Sequence, residues 1–178
     1  VGFQYPGMLV FLAGAIGLSM LTNALRNSAW GILSMFAFTG FMGAMVGAIL
    51  NYYLARFGNG HELVISAAAT TGIAFLGMSV FAVVTKRDFS FMGPFLFAGL
   101  TVAFVSMLIA YFFELSSLAL VVASMFALLS TGVILWQTQR IVQGGERNYI
   151  VAALILFQSI YNIFVSLLHL FGFAFGEE

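Results

Sequence analysis

Apolar and polar positions alternate along this chain in long blocks. Six stretches of about twenty residues, nearly free of charge, are separated by short polar breaks. The runs cover about residues 7–25, 30–53, 63–84, 91–113, 118–139 and 149–171. The breaks hold Arg26-Asn27-Ser28, the stretch from Arg56 to Glu62, Thr85-Lys86-Arg87-Asp88, Glu114-Leu115-Ser116-Ser117 and the stretch from Arg140 to Asn148. A helix rises about 1.5 Å per residue and needs about 20 residues to cross hydrocarbon, so each block is long enough to span a bilayer. The pattern predicts an all-α fold: a polytopic transmembrane helical bundle with six helices in this chain, residues 1–178 forming a single domain. Links this short predict that sequential helices pack as antiparallel neighbours.

Composition sharpens the picture. Of 178 residues, 62% are apolar and 7% charged, too little polar surface to cover a soluble globule. The mean hydropathy is +1.10. Six basic and six acidic residues cancel, which argues against nucleic acid as a partner and leaves the lipid bilayer as the main one. Cysteine is absent, so disulfides, thiolate metal sites and cysteine nucleophiles are excluded.

Charge also orients the chain. Arg26, Lys86, Arg87, Arg140 and Arg147 fall in the breaks after the first, third and fifth runs, whereas Arg56 stands alone on the other side. Basic residues in short loops stay cytoplasmic, which places the C-terminus, with Glu177 and Glu178, on the outer side of the membrane. A start on that side, at Val1, predicts a seven-helix parent whose first helix and cytoplasmic tail lie upstream. An initiator methionine directly before Val1 would refute this. Gly43 and Gly47, extended by Gly40, Ala44 and Ala48, form one small-residue seam, and Ala119, Ala123 and Ala127 form another. Such seams are expected to pack between helices of the bundle.

No Asp, Glu, Lys, Arg or His falls deep within a run, which disfavours a pump driven by titrating carboxylates. Glu114 is expected at a helix end and His169 near the outer interface. The polar groups that enter the core cluster on the last two runs: Gln137, Thr138 and Gln139 on the fifth, and Gln158, Ser159, Asn162, Ser166 and His169 on the sixth. Offsets of three and four place Ser159, Asn162, Ser166 and His169 along one helix face. Gln137, Gln158, Ser159 and Asn162 are the candidate polar seam, serving as interhelical hydrogen-bonding groups or as a hydrated ion path. No hydrolytic, nucleotide or dinucleotide motif is present, so no catalytic residue, metal ligand or cofactor is assigned. Gly144-Gly145-Glu146 reads as a flexible turn and His61-Glu62 as solvated.

Several stretches together resemble the Bax inhibitor-1 family, most closely its bacterial YccA-like branch. They are the segment from Gly31 to Gly40 with the small-residue seam after it, Thr85 to Gly93, Ile141 to Ile150, and Tyr161 to Leu168. The loops Thr-Lys-Arg-Asp at 85–88 and Gly-Gly-Glu-Arg-Asn-Tyr-Ile at 144–150 are the most specific parts. The resemblance implies a seven-helix parent with a central last helix. It also implies a non-enzymatic inner-membrane partner, modulator and substrate of FtsH, the membrane-bound ATP-dependent zinc protease, with HflK and HflC. In that branch the protease engages an N-terminal cytoplasmic tail. Lys86, Arg87, Asp88, Arg140, Glu146 and Arg147 are the candidate partner-contact residues. Other family members resemble pH-sensitive calcium leak channels with an acidic pair on the last two helices. That pair falls at Gln137 and Ser159, and neither can ionise. The alternative function is therefore a leak of Ca²⁺ or another cation along the neutral polar seam.

Overall fold

The computed structural model describes residues 5–177, all of its regular structure helical. The helices are α1 (Tyr5–Ala24), α2 (Ala29–Arg56), α3 (Gly60–Val84), α4 (Met92–Phe112), α5 (Ser116–Val142) and α6 (Tyr149–Phe175). All six are long and apolar enough to cross a membrane, so the chain is a polytopic α-helical bundle.

Local chemistry sets the helix ends. Ser28 opens α2, its Oγ accepting the Trp30 N–H at 3.2 Å, and Asn148 opens α6, its Oδ1 accepting the N–H groups of Ile150 and Val151 at 3.0 and 3.1 Å. At the end of α5, Gly144 takes a left-handed conformation with φ +75°, which lets the Gly145 N–H reach back to the Arg140 carbonyl at 2.9 Å. Glu114 performs the same turn after α4 with φ +53°, a conformation that suits glycine better, and the Leu115 N–H bonds the Ala110 carbonyl at 2.9 Å. α5 thus carries Arg140 inside its last turn rather than in the following loop.

Large apolar side chains such as Phe36, Phe97 and Leu128 stand exposed on the outer faces, as lipid-facing positions should. α6 is the most enclosed helix, packing on α1, α2, α3 and α5, while among the described residues α4 rests on α5 alone. Phe38 and Met42 of α2 meet Leu154 and Tyr161 of α6 in one cluster. Tyr53 of α2, Leu63 and Ala67 of α3 and Leu168 of α6 form a second.

Two packing expectations are corrected. First, α3 and α4 are sequential but do not touch among the described residues. The link from Thr85 to Phe91 crosses the end of α5 and delivers α4 to its far side. Second, the α2 seam is not packed among the described residues. Gly40, Gly43, Ala44 and Ala48 are exposed, and a methyl added to Gly40, Gly43 or Gly47 would meet nothing within 4 Å. The alanine seam on α5 does turn inward, with Ala123 buried and Ala119 and Ala127 half-buried. Close backbone approach falls instead at glycines the seam pattern did not single out: a methyl on Gly132 of α5 would lie 2.8 Å from the Leu96 side chain of α4.

The links after α1, α3 and α5 gather at one end, the basic end. At the far end the Gly58 N–H bonds the Glu177 carbonyl at 2.6 Å, and Asn59 joins the Phe175 carbonyl and the Glu177 N–H at 2.7 and 3.0 Å. Val1 and Glu178 lie outside the described residues.

Candidate functional site

Gln137 is the most enclosed polar side chain of the candidate seam. It is fully buried, and neither its Oε1 nor its Nε2 has a hydrogen-bond partner among the described residues. Ser130, two turns earlier on the same face of α5, is equally buried and unpartnered, as are the Thr138 and Ser79 hydroxyls. An unsatisfied buried polar group costs about 1–3 kcal/mol, so this interior holds hydrogen-bonding capacity that packing alone does not use.

The other seam residues are less singular. Ser159 is buried, but its hydroxyl donates to the Ile155 carbonyl of its own helix at 2.9 Å. Gln158 and Asn162 are half-buried. At about 1.5 Å per residue, Gln137 lies about 7 Å in from the Val142 end of α5 and Ser159 about 15 Å in from the Tyr149 end of α6. α5 and α6 share the most extensive helix contact in the bundle, yet no hydrogen bond joins any two of the four residues.

The basic end is built differently. Gln139, 3% exposed, accepts the Phe89 N–H at 2.8 Å on Oε1 and donates through Nε2 to the Arg87 carbonyl. One side-chain amide thereby pairs with the link backbone as a neighbouring strand would, and fastens the α3–α4 crossing to α5. Within the link, Asp88 Oδ1 accepts the Ser90 hydroxyl at 2.5 Å and the Ser90 N–H at 2.9 Å, which holds the Asp88 carboxyl below the usual carboxylate range. Phe89 lies against Phe81 with ring centroids 6.1 Å apart.

The six candidate contact residues separate into two groups. Lys86, Arg87, Asp88 and Arg147 are exposed and open to a partner. Arg140 lies over the Trp136 ring at 4.7 Å and pairs with the Glu146 carboxylate at 3.7 Å, so both are partly engaged within the fold. Glu146 also accepts the Asn148 N–H at 3.0 Å. Asn148 in turn donates to the Arg26 carbonyl at 2.9 Å and to Asn27 Oδ1 at 3.0 Å, tying the α1–α2 turn to the start of α6. Among the described residues no group of three or more His, Asp or Glu side chains could hold a metal ion.

Two of these residues, Gln139 and Asn148, take anchoring roles that the polar pattern alone does not assign. The sequence places Gln139 among the polar groups of the fifth run, and no pattern signals that its amide faces a loop backbone. Asn148 could have been found, since asparagine directly before an apolar run is a helix-opening signal.

Residues 1–176 match the family described as inhibitor of apoptosis-promoting Bax1. The chain belongs to the Bax inhibitor-1 family. Among family relatives, an uncharacterised protein of Pseudomonas aeruginosa is 47% identical over 174 residues, covering 98% of this chain and 78% of that one. The Escherichia coli protein named modulator of FtsH protease YccA is 43% identical, with 95% of this chain and 76% of that protein covered. An uncharacterised membrane protein of Vibrio cholerae is 42% identical, covering 97% and 77%.

Proposed function

We propose that this chain is a non-enzymatic membrane-embedded modulator of an FtsH-type ATP-dependent protease, acting in a bacterial inner membrane with its basic end in the cytoplasm. The observation that carries this reading is the 43% identity, over 95% of the chain, to a protein named for that role. HflK and HflC are the further partners the resemblance implies, and the chain itself is a candidate substrate of the protease. The excess of basic residues at one end supports the orientation, and with it a periplasmic C-terminus. The exposed side chains of Lys86, Arg87, Asp88 and Arg147 supply a contact surface held in shape by the Gln139 clip. Affinity purification of the full-length protein from gently solubilised membranes should bring down the protease. Its consistent absence, with the bait intact, would sink the reading.

A second reading, a leak for Ca²⁺ or another small cation, is favoured by one observation: the enclosed, unpartnered amide of Gln137. Amide oxygens suit hard cations, although without a carboxylate the binding is weak. In liposomes, a flux unchanged by Gln137→Leu and Ser159→Ala would remove the seam from any conduction path.

A further inference from the structure

Basic residues at a membrane face need only lie on the correct side; they need not converge. Here they converge. Arg26 with Asn27 from the α1–α2 turn, Arg140 from the last turn of α5, and the loop around Gly144 and Arg147 line one open cleft of about 470 Å³. Its single carboxylate, Glu146, is engaged on both oxygens, by Arg140 at 3.7 Å and by the Asn148 N–H at 3.0 Å. Arg147 uses its Nε to hold the Gly144 carbonyl at 3.3 Å, which leaves its two terminal nitrogens for a ligand. Arg26 is exposed and makes no ion pair among the described residues. The cleft therefore carries an excess of positive charge that its own groups do not neutralise.

Its walls are fixed in advance. The two hydrogen bonds from Asn148 to Arg26 and Asn27 lock the α1–α2 turn against α6, and the left-handed Gly144 fixes the course of the loop. Its level in the membrane is marked by Trp30 and Tyr149, 67% and 70% exposed at the first turns of α2 and α6, because such aromatics sit among lipid headgroups. Guanidinium forks at that level match a tetrahedral oxyanion through paired N–H donors.

We propose that this cleft binds a phosphate group, presented either by the headgroup of an anionic phospholipid or by a free phosphate. The proposal does not rest on the protease reading, and neither falls with the other.

The test uses the full-length protein, purified from membranes and exposed to mixed micelles of phosphatidylglycerol and phosphatidylcholine, with retained lipid identified by mass spectrometry. Inorganic phosphate is titrated separately by calorimetry. The variant is R26Q/R147Q; the control is K86Q/R87Q, which removes equal charge at the same end but outside the cleft. Selective retention of phosphatidylglycerol, weakened about tenfold or more in R26Q/R147Q and kept in the control, supports the lipid source. Saturable binding of inorganic phosphate with the same dependence on Arg26 and Arg147, without lipid selectivity, supports the free anion. Should the double variant fail to fold, R26Q and R147Q are read singly, each with about a fivefold loss. Binding of neither probe, or equal losses in K86Q/R87Q, overturns the proposal.

Discussion

Gln137 and Gln139 sit two residues apart on α5, are buried to nearly the same degree, and meet opposite fates. Gln139 pairs both ends of its amide with the backbone of the α3–α4 link, whereas Gln137 pairs neither. Two residues along a helix is a turn of about 200°, so the two amides face opposite sides of α5. One side meets irregular chain, whose N–H and C=O groups have no helical partner and accept a side-chain amide in its place. The other meets neighbouring helices whose backbone groups are already bonded within themselves. For these two amides, the facing backbone, rather than depth or residue type, decides which one fastens structure and which is left unpaired.

The largest way to test that contrast is to remove the fastened amide. Gln139→Leu leaves the Arg87 carbonyl and the Phe89 N–H without their partner, and about 2–4 kcal/mol of stability should be lost, measured by denaturant unfolding in micelles. Hydrogen exchange at the Phe89 amide should accelerate in the same variant. Gln137→Leu should instead be neutral or gain about 1–2 kcal/mol, because it replaces an unpaired buried amide by an apolar side chain of similar size. A loss of that magnitude would break the comparison by showing that Gln137 has a partner in the membrane. Ser159→Ala should change stability by less than about 0.6 kcal/mol, since its hydroxyl serves a carbonyl that already belongs to the α6 ladder.

The smallest effect concerns Asp88. Its hydrogen bonds from Ser90 depress the folded-state pKa, so the stabilisation they confer is present above the unfolded value and fades as pH falls through the folded one. Ser90→Ala should raise the Asp88 pKa toward that of an ordinary carboxylate and flatten this acid limb, as followed by carboxyl NMR. An unchanged pKa would mean that Ser90 does not hold the carboxylate in solution.

Much of the fold could be read from the chain because the signal repeats. Six charge-poor blocks with basic breaks demand spanning helices, and composition leaves no other class. The failures share one cause. Link length and GxxxG are local properties, while helix partners in lipid are chosen by shape across the whole bundle, so neither fixes adjacency or seam packing. Thus the link from Thr85 to Phe91 is long enough to cross α5, and the Gly43–Gly47 face turns outward among the described residues. At the candidate site, the structure buries Gln137 and Ser159 and leaves Gln158 and Asn162 half-buried. Only coordinates distinguish an amide facing loop backbone from one facing helices. The convergence of Arg26 with Arg140 and Arg147 was likewise hidden, because more than a hundred residues separate the segments that meet there.

In the proposed function, partner contact falls at the basic rim and not at the polar interior. Site-specific photocrosslinking in intact membranes tests it most directly, with the probe at Arg87 in one sample and at Gln158 in the other. Crosslinks to the protease from position 87, and none from position 158, are the predicted result. Crosslinks arising from position 158 with none from 87 would contradict the account.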